Sequence, residues 1–409
     1  MSTTPKNTVV LKFGGSSVAD ADKIRSIATR VAERYKAGEH LVVVVSAMGK
    51  TTDGLIKLAG TVSEKSSTYK REMDMLLATG EQTSAALLAM ALNDLGVNAI
   101  SMNAFQFGMR TTDAHSNARI RDIDTERLCK ELTERGVVVA TGFQGVTDEG
   151  DLTTLGRGGS DTSAIAIAAA LGCPCERYSD VVGVYTCDPK LVPAAKKLDY
   201  ITYEEMLELA AAGAKVLHSR GVEIANKLEV KLYCGSSFCD KNGTWIVKEL
   251  PEGLETPIVV GVAVKDETKV SVRGLSEDVG LYTRICNELA ARRINLNMIS
   301  LVVNAGKVSI TFSVAAGDVA EVGPALNAAL GGLEGWKMEM DDQVTEVSAV
   351  GAGMQSSSGV AGRFFGALQR RGIKVLASST SEIKISVLVP RSQRQEAADA
   401  LMGEFGLKN

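Results

Sequence analysis

The sequence predicts an α/β protein with a largely parallel sheet, followed by a tandem pair of smaller β-rich units. Three observations carry this. Strand-like and helix-like stretches alternate over the first 250 residues. The strand at 41–45 is apolar at every position, as expected when helices cover both faces of a parallel sheet. Beyond residue 257 the chain nearly repeats itself.

Taken in order, "TVVLKF" reads as the first strand. Asp20 can then cap a helix whose Ile24, Ile27, Val31 and Tyr35 share one face, with Gly38 ending it. After the strand at 41–45, helices such as "SAALLAMALNDLG" and "TSAIAIAAALG" alternate with strands expected at Ala99–Met102, Val137–Thr141 and 231–233. The rhythm changes at "PEGLETP", residues 251–257, which marks a boundary. Two similar segments follow, "KVSVRGLSEDVGLYTRICNELAARRINLNMISL" and "EVSAVGAGMQSSSGVAGRFFGALQRRGIKVLAS". Each runs strand, glycine turn, helix and second strand, with a later strand in "KVSITFSV" or "IKISVLVP".

Bulk properties narrow the function. A chain of 409 residues exceeds one ordinary core, so two or three domains are expected. The net charge of −4 excludes broad attraction to nucleic acid or an anionic membrane, while allowing a local basic pocket. No apolar run approaches the ~20 residues of a membrane span. "MSTTPKNTVV" lacks the basic and apolar regions of a secretory signal. The seven cysteines are irregularly spaced, and Cys173-Pro-Cys175 is not a C-x-x-C pair, so they read as thiols of a reducing cytosol. Three scattered histidines, His40, His115 and His218, argue against a metal site.

Glycine-rich loops carry the chemistry. "LVVVVSAMGKTTDG" feeds a strand into Gly49-Lys50-Thr51, but a phosphate-binding P-loop needs a glycine where Val44 stands, so that reading fails. Ser46, Thr51 and Thr52 still cluster at the end of a parallel strand, where α/β proteins bind ligands. "LKFGGSS" sets Lys12 beside Gly14 and Gly15, giving open backbone N–H groups and a compact cation. "LGRGGSDTSAIAIAAALG" puts Arg157, Ser160 and Asp161 before a helical run, whose N-terminus favours anions. Arg157 can grip a carboxylate through two parallel hydrogen bonds. "YSDVVGVYTCDPK" suits a turn able to hold a ribose or base, and equally an ordinary structural turn.

Taken together, "KFGGSS", "SAMGKTTD", "REMDMLLATGE", "GFQG", "TTLGRGGSDT", "YSDVVGVYTCDP", "EEMLELAAAGAKVLH" and "STSEI" resemble the bacterial aspartokinases of the amino-acid kinase family. The resemblance spans nearly the whole chain. It implies a three-layer α/β/α kinase domain over residues 1–250, then two ferredoxin-like (βαββαβ) ACT regions at 258–340 and 341–409. A strand near 258–264 is expected to join the second ACT region. The implied reaction is transfer of the γ-phosphoryl group of ATP, with Mg2+, to the β-carboxylate of L-aspartate. A carboxylate of pKa ~4 is already ionised at neutral pH, so no general base is required.

By the same resemblance, Lys12 stabilises the transferring phosphoryl group and Asp161 organises the centre, with Gly14, Gly15 and Ser16 around the phosphates. Arg157 binds the α-carboxylate and Glu81 the ammonium group, completed by Ser46, Thr52, Ser160 and the backbone at Phe143. Ser179, Asp180 and Tyr185 frame the nucleoside, with Lys190 and Lys215 near the phosphates. Glu277, Gly280, Asn295 and the run Ser379, Thr380, Ser381, Glu382 fall in the regulatory half. Lysine or threonine is the implied effector, and a homo-oligomer in the cytoplasm is implied as well. Some positions depart from the family pattern: Lys190 stands where arginine is frequent, and the turns at 277–280 and 356–359 lack the usual proline. Two rival readings are a kinase of another acidic amino acid and a catalytically silent amino-acid sensor.

Overall fold

The computed structural model describes residues 3–214, 216–251, 257–276, 280–304 and 306–409. Lys215 and Glu277, both expected to be functional, lie outside the described residues. The chain divides into two compact units. The first holds residues up to Val184 together with 197–210 and 215–253; the second holds Tyr185–Lys196, Ala211–Ala214 and the chain from Leu254 onward.

The first unit begins with β1 (Thr8–Phe13), α1 (Ala21–Lys36), β2 (His40–Val45), α2 (Thr51–Val62) and the long α3 (Lys70–Asp94). β3 (Ala99–Met102), β4 (Met109–Thr111), β5 (Ile120–Ile123), α4 (Glu126–Arg135), β6 (Val137–Thr141), β7 (Gln144–Val146) and β8 (Leu152–Thr154) follow. Then come α5 (Gly159–Leu171), β9 (Cys175–Ser179), β10 (Tyr200–Thr202), α6 (Tyr203–Ala211), α7 (Ser219–Lys227), β11 (Leu232–Ser236) and β12 (Thr244–Val247). An eight-stranded sheet runs β10-β12-β11-β9-β1-β2-β6-β3, parallel throughout except between β11 and β12. A second small sheet, β5-β4-β7-β8, was not expected from the sequence. Its strands are three or four residues long, too short to show a period.

Strand alternation sorts the first unit into layers. Leu11, Phe13, Val43, Val45, Val137 and Val139 join one core cluster with Ile27 and Val31 of α1 and Leu88 and Leu92 of α3. Lys12, between Leu11 and Phe13, points to the opposite layer, where it meets Asp161 of α5. The capping read from sequence is present: Asp20 accepts a 2.9 Å hydrogen bond from the Lys23 N–H at the start of α1. α3 is long and apolar enough to cross a membrane by length and composition alone. It buries Asp74 and Glu81 along with its apolar side chains, which makes it a core helix of this unit.

The second unit contains β13 (Gly261–Ser276), α8 (Leu281–Ala291), β14 (Asn297–Asn304), β15 (Lys307–Ala315) and α9 (Val319–Leu330). It continues with β16 (Lys337–Val350), α10 (Val360–Arg370), β17 (Ala377–Thr380), β18 (Lys384–Pro390) and α11 (Arg394–Glu404). All six strands form one antiparallel sheet, β14-β15-β13-β16-β18-β17. Two long strands serve both halves of this sheet. From Glu267 onward β13 pairs with β15, completing a βαββαβ unit with α8, β14, α9 and the start of β16. From Gly261 to Glu267 the same strand pairs with Val350–Val344, lying beside the strands that flank α10 and α11. Cys187, Val192 and Ala195 pack in this second core with Phe364, Val387 and Leu401.

Leu88→Ala, at a fully buried α3 position, is expected to destabilise the first unit by about 2–5 kcal/mol, read as a lower midpoint in a urea titration. Leu87→Ala, at a neighbouring position that is 40% exposed, should stay within about 1 kcal/mol of the parent in the same urea titration.

Candidate active site

The site forms where parallel strands end, because there the backbone must turn and leaves N–H groups and side chains facing solvent. Short backbone bonds tie these ends together. Ser46 N–H reaches Phe13 O at 3.2 Å, Gly142 N–H reaches Val45 O at 3.0 Å, and Gly49 N–H reaches Gly15 O at 3.0 Å. Gly14 N–H donates to Tyr178 O at 3.3 Å, so the "KFGGSS" loop is fixed to two neighbouring strands. On the layer shared with α5, Lys12 and Arg177 stand in register on β1 and β9.

Lys12 and Asp161 form an ion pair at 2.6 Å, both nearly out of water. Arg177 Nε approaches the same carboxylate oxygen at 3.7 Å and has no hydrogen-bond partner of its own among the described residues. Its Nη1 donates to Ser179 Oγ at 2.8 Å. Burial would push the Asp161 carboxyl up, but Lys12, Arg177 and His218 together hold it below the usual carboxylate range. Two cations therefore face one buried anion. That leaves an excess positive charge beside the N-terminus of α5, whose capping residue Gly158 supplies no side chain. Ser160 is buried in the first turn of this helix.

Glu81 approaches from the other side of the strand ends. It is 3% exposed, and its Oε1 accepts the Ala47 N–H at 3.0 Å while Oε2 has no partner among the described residues. Burial raises its pKa to about 7, against the pull of the Ala47 N–H and the Lys12 charge. A buried carboxylate oxygen of this kind gains most from a hydrogen-bond donor, and an ammonium group matches it in charge. Gly80 lets α3 come this close: a Cβ there would lie 2.8 Å from Ala47 Cβ. Ser46 and Thr52 are half-buried beside this loop, while Arg157 is exposed.

The comparisons with known proteins agree with this geometry. A profile of the amino acid kinase family matches residues 7–236, and one of the ACT domain matches residues 347–405. An aspartokinase of Geobacillus stearothermophilus is 45% identical over 403 residues, covering 98% of this chain and 97% of that one. The chain belongs to the aspartokinase family. E. coli aspartokinase III in complex with lysine and aspartate (T-state) superposes with a TM-score of 0.78 at 25% identity, covering 98% of this chain and 100% of that one. The same E. coli enzyme with aspartate and ADP (R-state) gives 0.79 at 24% identity over 97% and 99% of the two chains, and so shows the same fold.

Within this aspartokinase, the remaining expected residues fall in several places. Ser16 and Asp180 are exposed, and Ser179 is buried as the acceptor for Arg177. At Phe143 the φ of 70° is positive, its N–H donates to Ser163 Oγ at 3.0 Å, and its carbonyl accepts from Leu155 N–H at 2.9 Å. Both backbone groups there already have protein partners. Tyr185 and Lys190 belong to the second unit, where Tyr185 packs on its core and Lys190 is exposed. Gly280 precedes α8, and Asn295 is exposed just ahead of β14. Ser379 and Thr380 lie on the exposed edge strand β17, and Ser381 and Glu382 in the turn after it, where Gln355 donates to Glu382 at 3.2 Å.

Arg177 is the principal residue that sequence reasoning missed. Only its pairing register with Lys12 reveals it, and register is a long-range property. Among the described residues no group of three or more His, Cys, Asp or Glu side chains could hold a metal ion. The residues thus suit Mg2+ only as a companion of nucleotide phosphates, its usual mode of binding.

The Glu81 carboxyl sets a pH expectation. Below pH about 7 the free enzyme holds Glu81 neutral, so kcat/KM for an ammonium-bearing substrate should fall, by up to about tenfold per pH unit. An ammonium group bound at Oε2 would hold Glu81 ionised, so that kcat at saturating substrate should change less. Glu81→Gln should raise KM and flatten the kcat/KM profile between pH 6 and 8, roughly one unit either side of that value.

Proposed function

We propose that this aspartokinase binds L-aspartate between Glu81 and Arg157 and transfers to its β-carboxylate the γ-phosphoryl group of ATP, giving 4-phospho-L-aspartate and ADP. The observation that carries the site assignment is the buried Lys12–Asp161–Arg177 cluster beside the unpartnered Oε2 of Glu81. A β-carboxylate oxygen forms the new O–P bond as the bond from the γ-phosphorus to the ADP oxygen breaks. No proton moves in this step, so none of the site's side chains is required to act as a base.

The barrier is electrostatic, since an anion must approach a polyanion. Lys12 neutralises charge on the transferring group, and a positive group fixed in a dry site is worth more than one in water. Asp161 holds the Lys12 ammonium in place at 2.6 Å, so that little reorganisation is needed as charge develops. Arg177 adds a second cation on the same face. Gly15, Ser16 and the N-terminus of α5 offer N–H groups to the phosphates, while Gly14, its own N–H spent on Tyr178 O, shapes the turn beside them. Mg2+ would enter with ATP, held by the phosphate oxygens with Asp161 available to help hold it, and would supply further charge neutralisation. Ser46, Thr52 and Ser160 complete the aspartate pocket, and Ser179 and Asp180 the nucleotide side.

The second unit is the regulatory part in this reading. Asn295 and the segment from Ser379 to Glu382 would meet an amino-acid effector, lysine or threonine. Lysine is supported by its presence with aspartate in the crystals of E. coli aspartokinase III. The enzyme would act in the cytoplasm as a homo-oligomer.

Lys12→Ala is expected to lower kcat by a factor on the order of 10²–10³ with the fold intact. Arg157→Ala should chiefly raise KM for aspartate. Both are read from ADP release, with the acyl phosphate trapped by hydroxylamine, and glutamate in place of aspartate tests the choice of acceptor. In the same assay lysine or threonine should suppress hydroxamate formation; if neither does, the effector assignment fails while the kinase assignment stands.

A further inference from the structure

Asp74 is fully buried in α3 and belongs to no part of the chemistry described above. Its carboxylate collects donors from two other segments. Ser116 N–H donates to Oδ2 at 2.9 Å and lies 3.1 Å from Oδ1, and His115 Nδ1 lies 2.9 Å from Oδ2. Thr154 contributes both its N–H, at 3.1 Å, and its hydroxyl, at 2.7 Å. Ser116 has φ of 69°, a left-handed conformation that a serine adopts at a cost, and the charged acceptor offsets that cost.

The arrangement leads to the substrate pocket in both directions. Along α3, Glu81 follows Asp74 by seven positions, about two turns or ~10 Å along the axis, so the two carboxylates share one buried face. Along the chain, Thr154 is followed by Leu155, Gly156 and Arg157. Gly156 has φ of 77° and sits against the bound loop, where an added Cβ would lie 3.2 Å from Ser116 O. Arg157 itself is exposed, so the backbone that carries it sets the point from which its side chain reaches.

We infer that Asp74 is a positioning residue for the amino-acid substrate: by holding the Ser116 loop and Thr154 against α3, it fixes the spacing between Arg157, which takes the α-carboxylate, and Glu81, which takes the ammonium group. This rests on the substrate reading given under Proposed function. The pair of charges selects an α-amino acid, and Asp74 sets the separation of the backbone positions that carry them.

The test is steady-state ADP release by the full chain with MgATP and L-aspartate, comparing Thr154→Val with Thr154→Ser. Thr154→Val removes the hydroxyl bond to Asp74 at nearly constant volume, and should raise KM for aspartate about five- to tenfold while KM for ATP stays within about twofold. Thr154→Ser, which keeps the hydroxyl, should restore KM for aspartate. Asp74→Asn should act in the same direction; should it fail to fold, the Thr154 pair decides alone. An unchanged KM for aspartate in Thr154→Val, a parallel rise for both substrates, or a fall in kcat alone would overturn the inference, since a merely structural contact predicts those patterns. Arg157→Ala is run beside them. If it leaves KM for aspartate unchanged, the substrate reading falls and takes this inference with it; if it raises KM while Thr154→Val does not, only the positioning role is lost.

Discussion

The Lys12–Asp161 pair is a charge held where an apolar side chain would ordinarily be. The central strand β1 is buried at all six positions, so the lysine on it must either find a partner or give up its proton. Asp161 supplies that partner from the first turn of α5, and Arg177 supplies a second cation from the next strand. The close approach of sheet and helix required for a 2.6 Å contact explains the small residues in "GRGGSDTSAIAIAAALG". Removing either partner would strand a buried charge, typically at a cost of about 3–5 kcal/mol. The interaction thus adds to stability, without the fold depending on it, and is an arrangement of charge suited to phosphoryl transfer.

α3 plays a similar double part. Its apolar face closes the core with α1, while Asp74 and Glu81 replace apolar residues at two points along the buried side. The two carboxylates have different surroundings. Asp74 is saturated by donors from neighbouring loops, whereas Glu81 keeps one oxygen unsatisfied and is pushed up to about 7 by burial. A rigid helix is a good carrier for both, because its rise and turn fix their separation without depending on loop conformation.

Much of this was legible in the sequence because it depends on local pattern. Strands covered on both faces are uniformly apolar, which exposed β2 and β6, and Asp20 marked the start of α1 through its capping chemistry. The glycine loops pointed to the strand ends, and the tandem similarity pointed to two related halves in the second unit. What stayed hidden depends on distant pairing. Arg177 looks like any charged residue in "CERYS" until β9 is set in register with β1. The short strands of the β5-β4-β7-β8 sheet have no readable period. The association of Tyr185 and Lys190 with the second unit is invisible in a stretch lying 60 residues or more before the boundary at 251–257.

That association bears on how such a chain can be divided. Tyr185–Lys196 leaves the first unit at Val184 and re-enters it at Lys197, having buried Cys187, Val192 and Ala195 in the second core. Thr186 accepts the Val262 N–H at 2.7 Å and donates its hydroxyl to Leu407 O at 2.8 Å, and the final residue Asn409 donates to Ala194 O at 2.8 Å. A chain cut near residue 250 would keep this segment but strip away its packing partners, exposing three apolar side chains on a loop that follows Ser179 and Asp180 closely. The catalytic and regulatory halves are therefore not interchangeable modules. Grafting a foreign regulatory half onto this kinase would require replacing a twelve-residue insert deep within the first half as well.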